Sequence, residues 1–309
     1  MRIFTLIWFG QLVSFIGSGL TRFALGVWVY RNTGSVTQFA LISLFAILPS
    51  ILLSPLVGVL VDRWNRRTCM ILSDAGAGLS TLAIVLLLLV GRLEVWHIYL
   101  VVGVSSTFNA FQWPAYAAAT TMLVPKQHLG RASGMVQFAE ATSRLLAPML
   151  AGVLVVTIQI QGIILIDCVT FLFSLVTLLL VRFPQPKTTA ENEVKKSWQL
   201  REFTYGWTYI TARPALLGLL IFFAAINFLI GVVSVLVTPL VLAFAAANVL
   251  GTVLSIGGSG MLVGGLVMSV WGGPKNRILG VFGFTLSGGL SIEPIWYLLG
   301  DQVESIEIG

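Results

Sequence analysis

The hydrophobic positions of this chain gather into long blocks that are separated by short runs of charged and turn-forming residues. An α-helix needs about 20 apolar residues to cross the roughly 30 Å hydrocarbon core of a bilayer. Nine blocks reach that length: residues 3–30, 38–61, 68–90, 95–124, 132–158, 162–182, 214–244, 247–272 and 278–300. The pattern therefore predicts a multi-pass membrane protein built from helices.

Composition narrows the class of protein further. Hydrophobic residues make up 57% of the 309 residues and charged residues only 10%, whereas a soluble globular domain carries about 25% charged residues. So few polar residues cannot coat a single water-soluble core. With two cysteines and a mean hydropathy of +0.95, soluble, disulfide-stapled and disordered folds are excluded, and we expect an all-α membrane bundle.

The basic residues indicate how the helices are oriented, because cytoplasmic loops retain positive charge. A cytoplasmic N-terminus places fourteen of the eighteen on that side: Arg2, Arg63, Arg66, Arg67, Lys126, Arg131, Arg182, Lys187, Lys195, Lys196, Arg201, Arg213, Lys275 and Arg277. Arg31 and Arg92 fall outside, and two more lie within spans. The net charge of +6 then reflects topology in an inner or plasma membrane, and we expect no nucleic-acid partner.

Polar segments divide the chain into parts. Residues 1–183 hold six spans, residues 184–213 form a cytoplasmic linker, residues 214–300 hold three more spans, and residues 301–309 are an acidic tail. The end of the linker interleaves aromatic and charged residues, which is typical of a helix lying in the headgroup layer. The alternative is that these aromatic residues simply begin the seventh helix.

A charged motif, Gly58-Val59-Leu60-Val61-Asp62-Arg63-Trp64-Asn65-Arg66-Arg67, follows the second span. It resembles the loop signature G-x-L-x-D-R-x-x-R-R of the major facilitator superfamily of secondary transporters. Its chemistry is also readable directly, because Asp62 can pair with Arg66 one turn on, and Gly58 permits close approach of another helix. A basic stop-transfer loop would explain the arginines but not the spacing of Gly58 and Asp62.

The fifth span carries a second resemblance, to a glycine- and proline-containing pattern of antiporters in the same superfamily. Its positions are Gly134, Ser143, Ala147, Pro148, Ala151 and Gly152. Small residues at every fourth position favour close helix packing, and the proline favours a bend. The eighth span has a matching stripe at Gly251, Ser255 and Ser259, and the resemblance implies that spans five and eight meet. Ordinary tight packing of membrane helices is the alternative.

Three further segments resemble the macrolide-efflux-like and enterobactin-exporter-like group of that superfamily: residues 111–116, residues 124–132, and residues 206–209 with Arg213-Pro214. The resemblance covers about residues 2–290. It implies two six-helix halves, of which this chain supplies the first and about three helices of the second. We therefore expect a C-terminally truncated chain, or one whose C-terminal half is completed by a second chain.

Five ionisable residues fall inside predicted spans, where charge is costly and is by default a sign of function. They are Arg22, Asp74, Glu140, Arg144 and Asp167. Glu140 and Arg144 are four residues apart and can pair on one helical face. We expect this pair, together with Asp74, to couple protonation or substrate charge to conformation. The alternative is a static structural pair.

These features together predict a secondary active transporter. The resemblance implies proton-coupled export of a small, partly apolar compound, such as a drug, siderophore or peptide, by alternating access. Its partners would be the lipid bilayer, the substrate and a proton or another ion. A transport-inactive membrane protein, acting as a fragment, sensor or assembly partner, is the alternative. Metal-ligand spacings and an ATP-binding loop are absent from the sequence, so we expect neither enzyme activity nor a metal or other cofactor.

Overall fold

The computed structural model of the protein describes residues 2–181 and 208–271, without the side chains of residues 2, 55, 59, 62, 63 and 260–271. The long elements of the described chain are all helices. They are α1 (Arg2–Thr33), α2 (Val36–Arg63), α3 (Arg66–Leu89), α4 (Val95–Leu123), α5 (Leu129–Thr157), α6 (Gln159–Leu180), α7 (Pro214–Phe244) and α8 (Ala247–Trp271). The predicted all-α class is confirmed.

The predicted spans correspond closely to these helices. The first span is predicted to end at Tyr30, and α1 continues to Thr33. No other end of a described helix differs from its predicted position by more than this. The ninth predicted span, residues 278–300, lies outside the described residues. So do the acidic tail and most of the linker.

Six helices of the described chain are long and apolar enough to cross a membrane. They are α1 from Ile3, α2 over Val36–Ser54, α3, α5 with its preceding turn, α6 and α7. The fourth predicted span forms a helix of the expected length, but it contains the polar side chains of Ser105, Ser106, Thr107, Asn109 and Gln112.

Local sequence explains where the first helices begin and end. Gly34 follows α1 with a φ of +63°, a conformation that favours glycine. Ser35 then caps α2 by accepting a hydrogen bond from the backbone N–H of Gln38, and Asn65 caps α3 in the same way through Arg67. These connections are only a few residues long, so consecutive helices are antiparallel neighbours.

The central helix of the bundle is α1. It packs against α5 and α6, while α3 packs against α4 and α6, and α2 packs against α4. One apolar cluster surrounds the first turns of α1 at Phe4 and Ile7, and a second surrounds its later turns at Leu20 and Val29. Between them, α1 buries the polar side chain of Gln11.

Contacts group residues 1–258 into one compact unit, and of the second unit, residues 259–309, the structure describes only the end of α8. Within the first unit, α7 exposes large apolar side chains such as Phe228 at 71% and Leu229 at 62%. Such a surface is stable where the surrounding solvent is lipid, which agrees with a membrane-spanning role for α7.

Arg67 links the start of α3 to the end of α6 through hydrogen bonds. Its Nε donates to the carbonyl oxygen of Leu178 at 3.1 Å, and its Nη2 donates to that of Leu179 at 2.7 Å. The last carbonyls of a helix have no intrahelical partner and carry partial negative charge. The guanidinium therefore serves as a capping group supplied by another helix.

We predict that Arg67→Gln lowers the free energy of unfolding by about 1–2 kcal/mol, because two charge-assisted hydrogen bonds of a partly exposed group are lost. Thermal unfolding of the detergent-solubilised chain measures the effect. Arg92→Gln, at an exposed loop position, is the matched control. Equal melting temperatures for the two variants would contradict the capping role.

Candidate functional site

A carboxyl group is held by neutral side chains inside the bundle. Gln11 of α1 donates from Nε2 to Oδ2 of Asp74 on α3 at 2.9 Å, and Ser174 of α6 donates to the same oxygen at 3.1 Å. Gln112 of α4 donates from Nε2 to Oε1 of Gln11 at 2.8 Å. These four residues, which we term the amide–carboxyl cluster, connect four helices.

The amide–carboxyl cluster is closed off from solvent. Asp74 is 7% exposed and its three partners no more than 6%. The groups that act on Asp74 are the neutral hydrogen-bond donors of the cluster, with no charged side chain of the described residues among them. Oε1 of Gln112 is buried and without a hydrogen-bond partner in the described chain. Because a buried carboxylate without a cation is costly, Asp74 is a group that a proton can neutralise.

Sequence reasoning identified Asp74 but missed its partners. Gln11 and Gln112 are amides within apolar spans, and that pattern could have singled them out. Ser174 has no comparable signal, because serine is common in membrane helices and can bond its own backbone.

Asp167 of α6 lies against α1. Ser18 of α1 donates to its Oδ1 at 3.3 Å, and a Cβ on Gly17 would lie 2.9 Å from the same oxygen. The side chain is 3% exposed. This carboxyl group is therefore buried against α1, where a hydroxyl donates to it.

Glu140 and Arg144 of α5 form the ion pair that their spacing predicts. Nη2 of Arg144 lies 2.6 Å from Oε1 of Glu140, and the two side chains are 61% and 31% exposed, respectively. Arg22 lies on α1 with an exposed side chain. In the described part of the chain it forms no direct ion pair with Glu140 or Asp167.

The small residues of α5 serve two interfaces. Ser143 donates from Oγ to the carbonyl oxygen of Phe15 at 2.7 Å, and a Cβ placed on Gly19 would lie 2.6 Å from that of Ala147. Ser143 and Ala147 therefore face α1. Ala151 belongs to the same buried cluster as the later turns of α1.

A different face of α5 meets α8, as the sequence predicts for spans five and eight. A Cβ on Gly152 would lie 2.8 Å from the carbonyl oxygen of Ala247, and one on Gly251 would collide with the carbonyl oxygen of Pro148. Ser255 donates from Oγ to the carbonyl oxygen of Leu145 at 2.7 Å. The contact is therefore made largely through backbone. Gly134, in the same predicted motif, has no neighbour within 4 Å of a Cβ position and lies outside both interfaces.

The loop motif has an open position at its glycine. A Cβ on Gly58 would meet nothing within 4 Å among the described residues, so close approach of another helix at Gly58 stays a prediction. Arg66 lies at the start of α3 beside Arg67. The side chains of Asp62 and Arg63 lie outside the described set. The pairing of Asp62 with Arg66 therefore stays a prediction.

Metal coordination has no support in residues 2–181 and 208–271, where no three His, Cys, Asp or Glu side chains are grouped to hold an ion. Cys69 and Cys168 are free thiols. The polar chemistry of the described bundle therefore rests on carboxyl, amide, hydroxyl and guanidinium groups.

Comparison of the sequence with known proteins agrees with a bundle of membrane-spanning helices. Residues 7–298 match the sequence model of the Major Facilitator Superfamily. Macrolide efflux protein A of Streptococcus pyogenes is 30% identical over 295 residues, which are 94% of this chain and 71% of that protein. Enterobactin exporter EntS of Citrobacter koseri is 25% identical over 96% of this chain and 71% of its own length.

A solved structure shows a similar fold. It is a bacterial homologue of the human lysosomal transporter Spinster, in an inward-facing and unoccupied conformation. The TM-score is 0.56 at 14% sequence identity, over 87% of this chain and 62% of that one.

We predict that Gly152→Ala destabilises the protein by about 1–3 kcal/mol, because the added methyl group meets backbone of α8 that cannot rotate away. Gly134→Ala is the matched control on the same helix. It should be neutral or stabilising by up to about 1 kcal/mol, since alanine favours helix over glycine. Thermal unfolding in detergent measures both variants, and similar melting temperatures would show that the α5–α8 contact does not constrain residue 152.

Proposed function

The chain belongs to the Major Facilitator Superfamily, a family of membrane-spanning transporters, and from this premise we propose that it exports a small, partly apolar compound across the cell membrane. The proposal has support from its similarity to a macrolide efflux protein and an enterobactin exporter. We place the N-terminus in the cytoplasm, because that orientation puts most lysines and arginines on the cytoplasmic side.

The observation that carries the proposal is the position of the Glu140–Arg144 pair on α5. The pair lies on a helix that contacts α1 through Ser143 and α8 through Leu145. In alternating access, the substrate binds at the interface between the parts of the bundle that move. An accessible charged pair on α5 suits a role in this movement, because it lies close to the contacts of α5 with α1 and with α8.

Proton coupling requires a group whose protonation favours one conformation over another. We propose two such groups. Asp74 is held by neutral donors, so its charge has no fixed cation to balance it. Glu140 is paired with Arg144 and is partly exposed, so a proton that reaches it would weaken the ion pair. Arg22 and Asp167 extend the charged region towards α1.

The proposal predicts energy-dependent extrusion. Expression in an efflux-deficient bacterial host should lower the accumulation of at least one compound in a panel of macrolides, siderophores and dyes. A protonophore should abolish the difference, because the chain would draw on a proton gradient. Failure to extrude any compound, with the chain present in the membrane, would instead favour a transport-inactive role as a sensor or assembly partner.

We further predict that Asp74→Asn and Glu140→Gln each reduce gradient-driven extrusion roughly fivefold or more. A fivefold change is the lower end of what a typical coupling free energy produces. Efflux from vesicles, followed across a range of external pH, measures this. Glu94→Gln, at the exposed start of α4, is the matched control. Unchanged pH-dependent efflux in Glu140→Gln would remove its proton role and leave a structural ion pair.

A further inference from the structure

The interface between α1 and α6 repeats its packing after seven residues. A Cβ on Gly10 would collide with Thr177, and one on Gly17 would collide with Thr170. Each threonine also donates a hydrogen bond to the backbone carbonyl oxygen three residues before it. Seven residues are close to two turns of a helix, so the same face of α1 meets the same face of α6 at two levels.

Each level of this interface carries a buried carboxyl group. At the first level, Gln11 of α1 donates to Ser174 of α6, and both donate to Oδ2 of Asp74. At the second level, Ser18 of α1 donates to Oδ1 of Asp167 on α6. Asp74 and Asp167 are 7% and 3% exposed, respectively. The two levels are about 10 Å apart, because a helix rises by roughly 1.5 Å per residue.

Ser14 lies between the two levels and is 8% exposed. Successive residues of a helix are turned by about 100°. Residue 14 therefore falls inside the arc that residues 10, 11, 17 and 18 span, and this arc faces α6. Ser14 thus places a hydroxyl group between the two carboxyl groups, and Thr170 of α6 places a second one there.

Buried oxygen atoms without partners lie at both levels. Oε1 of Gln112, whose amide donates to Gln11 at the first level, has no hydrogen-bond partner among the described residues. The same is true of Oγ1 of Thr21, which lies three residues beyond Ser18 on α1. Internal water in proteins binds to buried polar atoms of this kind. Each level therefore has an atom that can hold water in the neighbourhood of a carboxyl group.

The two carboxyl groups differ in access. Asp74 and its three partners in the amide–carboxyl cluster are no more than 7% exposed. Ser18, the donor to Asp167, is exposed, and so is Arg22 one turn further along α1. A charged residue at this depth favours contact with water over contact with lipid. Asp167 is thus connected to an accessible polar surface, whereas Asp74 is reached only through the protein.

Charged groups are few on the helices that enclose the two levels. Besides Asp167, α6 contains no charged residue, and besides Asp74, α3 contains only Arg66 and Arg67 at its start. The other charged or titratable side chains near these levels are Arg22, Cys69, Tyr116, Glu140, Arg144 and Cys168. Among the described residues, none of them forms an ion pair with Asp74 or Asp167. A proton is therefore the cation that can neutralise either carboxylate in place.

We propose that protons reach Asp74 from Asp167 along the α1–α6 interface. The inference rests on the proposed role of Asp74 in proton coupling and identifies its proton donor. The carboxylic acid of Asp167 loses a proton and becomes a carboxylate, and the carboxylate of Asp74 becomes a carboxylic acid. Ser14, Thr170 and internal water carry the proton, each breaking one O–H bond as it forms another. Asp167 then takes a new proton from water beside Ser18.

Difference infrared spectroscopy of the purified full chain in detergent, after a rapid drop in pH, measures the order of protonation. The carboxylic acid bands that Asp74→Asn and Asp167→Asn remove identify the two groups. We expect Asp167 to be protonated first. In Asp167→Asn, Asp74 should be protonated about a hundredfold more slowly but to a similar final extent, because one positioned proton-transfer group contributes at least about this factor. Asp74→Asn should leave the protonation rate of Asp167 unchanged.

Two variants of equal shape test the route separately from packing. Ser14→Val removes the hydroxyl group and should slow the protonation of Asp74 by a similar factor without slowing that of Asp167. Ser14→Thr has the same shape with a hydroxyl group and should retain the rate. Ser80→Val on α3 is the control, because Ser80 is also 8% exposed and donates to its own helix backbone. It should change neither rate.

Several outcomes would overturn the proposal. One is an unchanged rate of Asp74 protonation in Asp167→Asn, and another is protonation of Asp74 before Asp167. A rate in Ser14→Thr as low as in Ser14→Val would show that packing rather than the hydroxyl group matters. The lack of any carboxylic acid band from Asp74 would show that it takes up no proton.

Vesicle assays separate this inference from the proposed function. If vesicles with Asp167→Asn extrude a compound normally, and Asp74 is protonated at an unchanged rate in this variant, export stands and the proton route is wrong. If protons pass from Asp167 to Asp74 in the expected order while vesicles extrude no compound of the panel, the route stands and the export proposal fails.

Discussion

A polar group inside a bilayer has no water to bind, and the described bundle meets this constraint within the protein. Hydrogen bonds within each helix satisfy most of its backbone N–H and C=O groups, so the polar side chains are the groups that still need partners. Gln11, Asp74, Gln112 and Ser174 hydrogen-bond to one another across four helices, and Oε1 of Gln112 is left without a partner among the described residues. These hydrogen bonds favour one rotation of each helix about its axis, because turning a helix would break its bond to the cluster and leave a buried polar group unpaired.

The position of α1 at the centre of the first unit follows from the same constraint. Its glycines allow close neighbours: a Cβ on Gly10 would collide with Thr177, and one on Gly17 would collide with Thr170. Close approach brings Asp167 within reach of Ser18. Small residues and polar residues therefore act together on α1, the first by admitting α6 and the second by bonding to it.

The acids of the bundle differ in environment, and this separates their roles. Asp74 and Asp167 are buried and hydrogen-bonded by neutral groups, whereas Glu140 is partly exposed and paired with an arginine. In the proposed cycle, the Glu140–Arg144 pair can respond to solvent and substrate because it is accessible. Asp74 can respond only to a proton or to a rearrangement of the helices that enclose it.

Sequence alone determined the helices and the Glu140–Arg144 pair, because apolar length and the four-residue spacing are local properties of one helix. The family and the meeting of α5 with α8 were also accessible from motifs. The packing of the helices was needed to show that Ser143 faces α1 and that Gly58 has no neighbour within the described residues. It was also needed to show which side chains surround Asp74. These features depend on how each helix is rotated against its neighbours, and in an almost uniformly apolar helix the pattern of residues specifies that rotation only weakly.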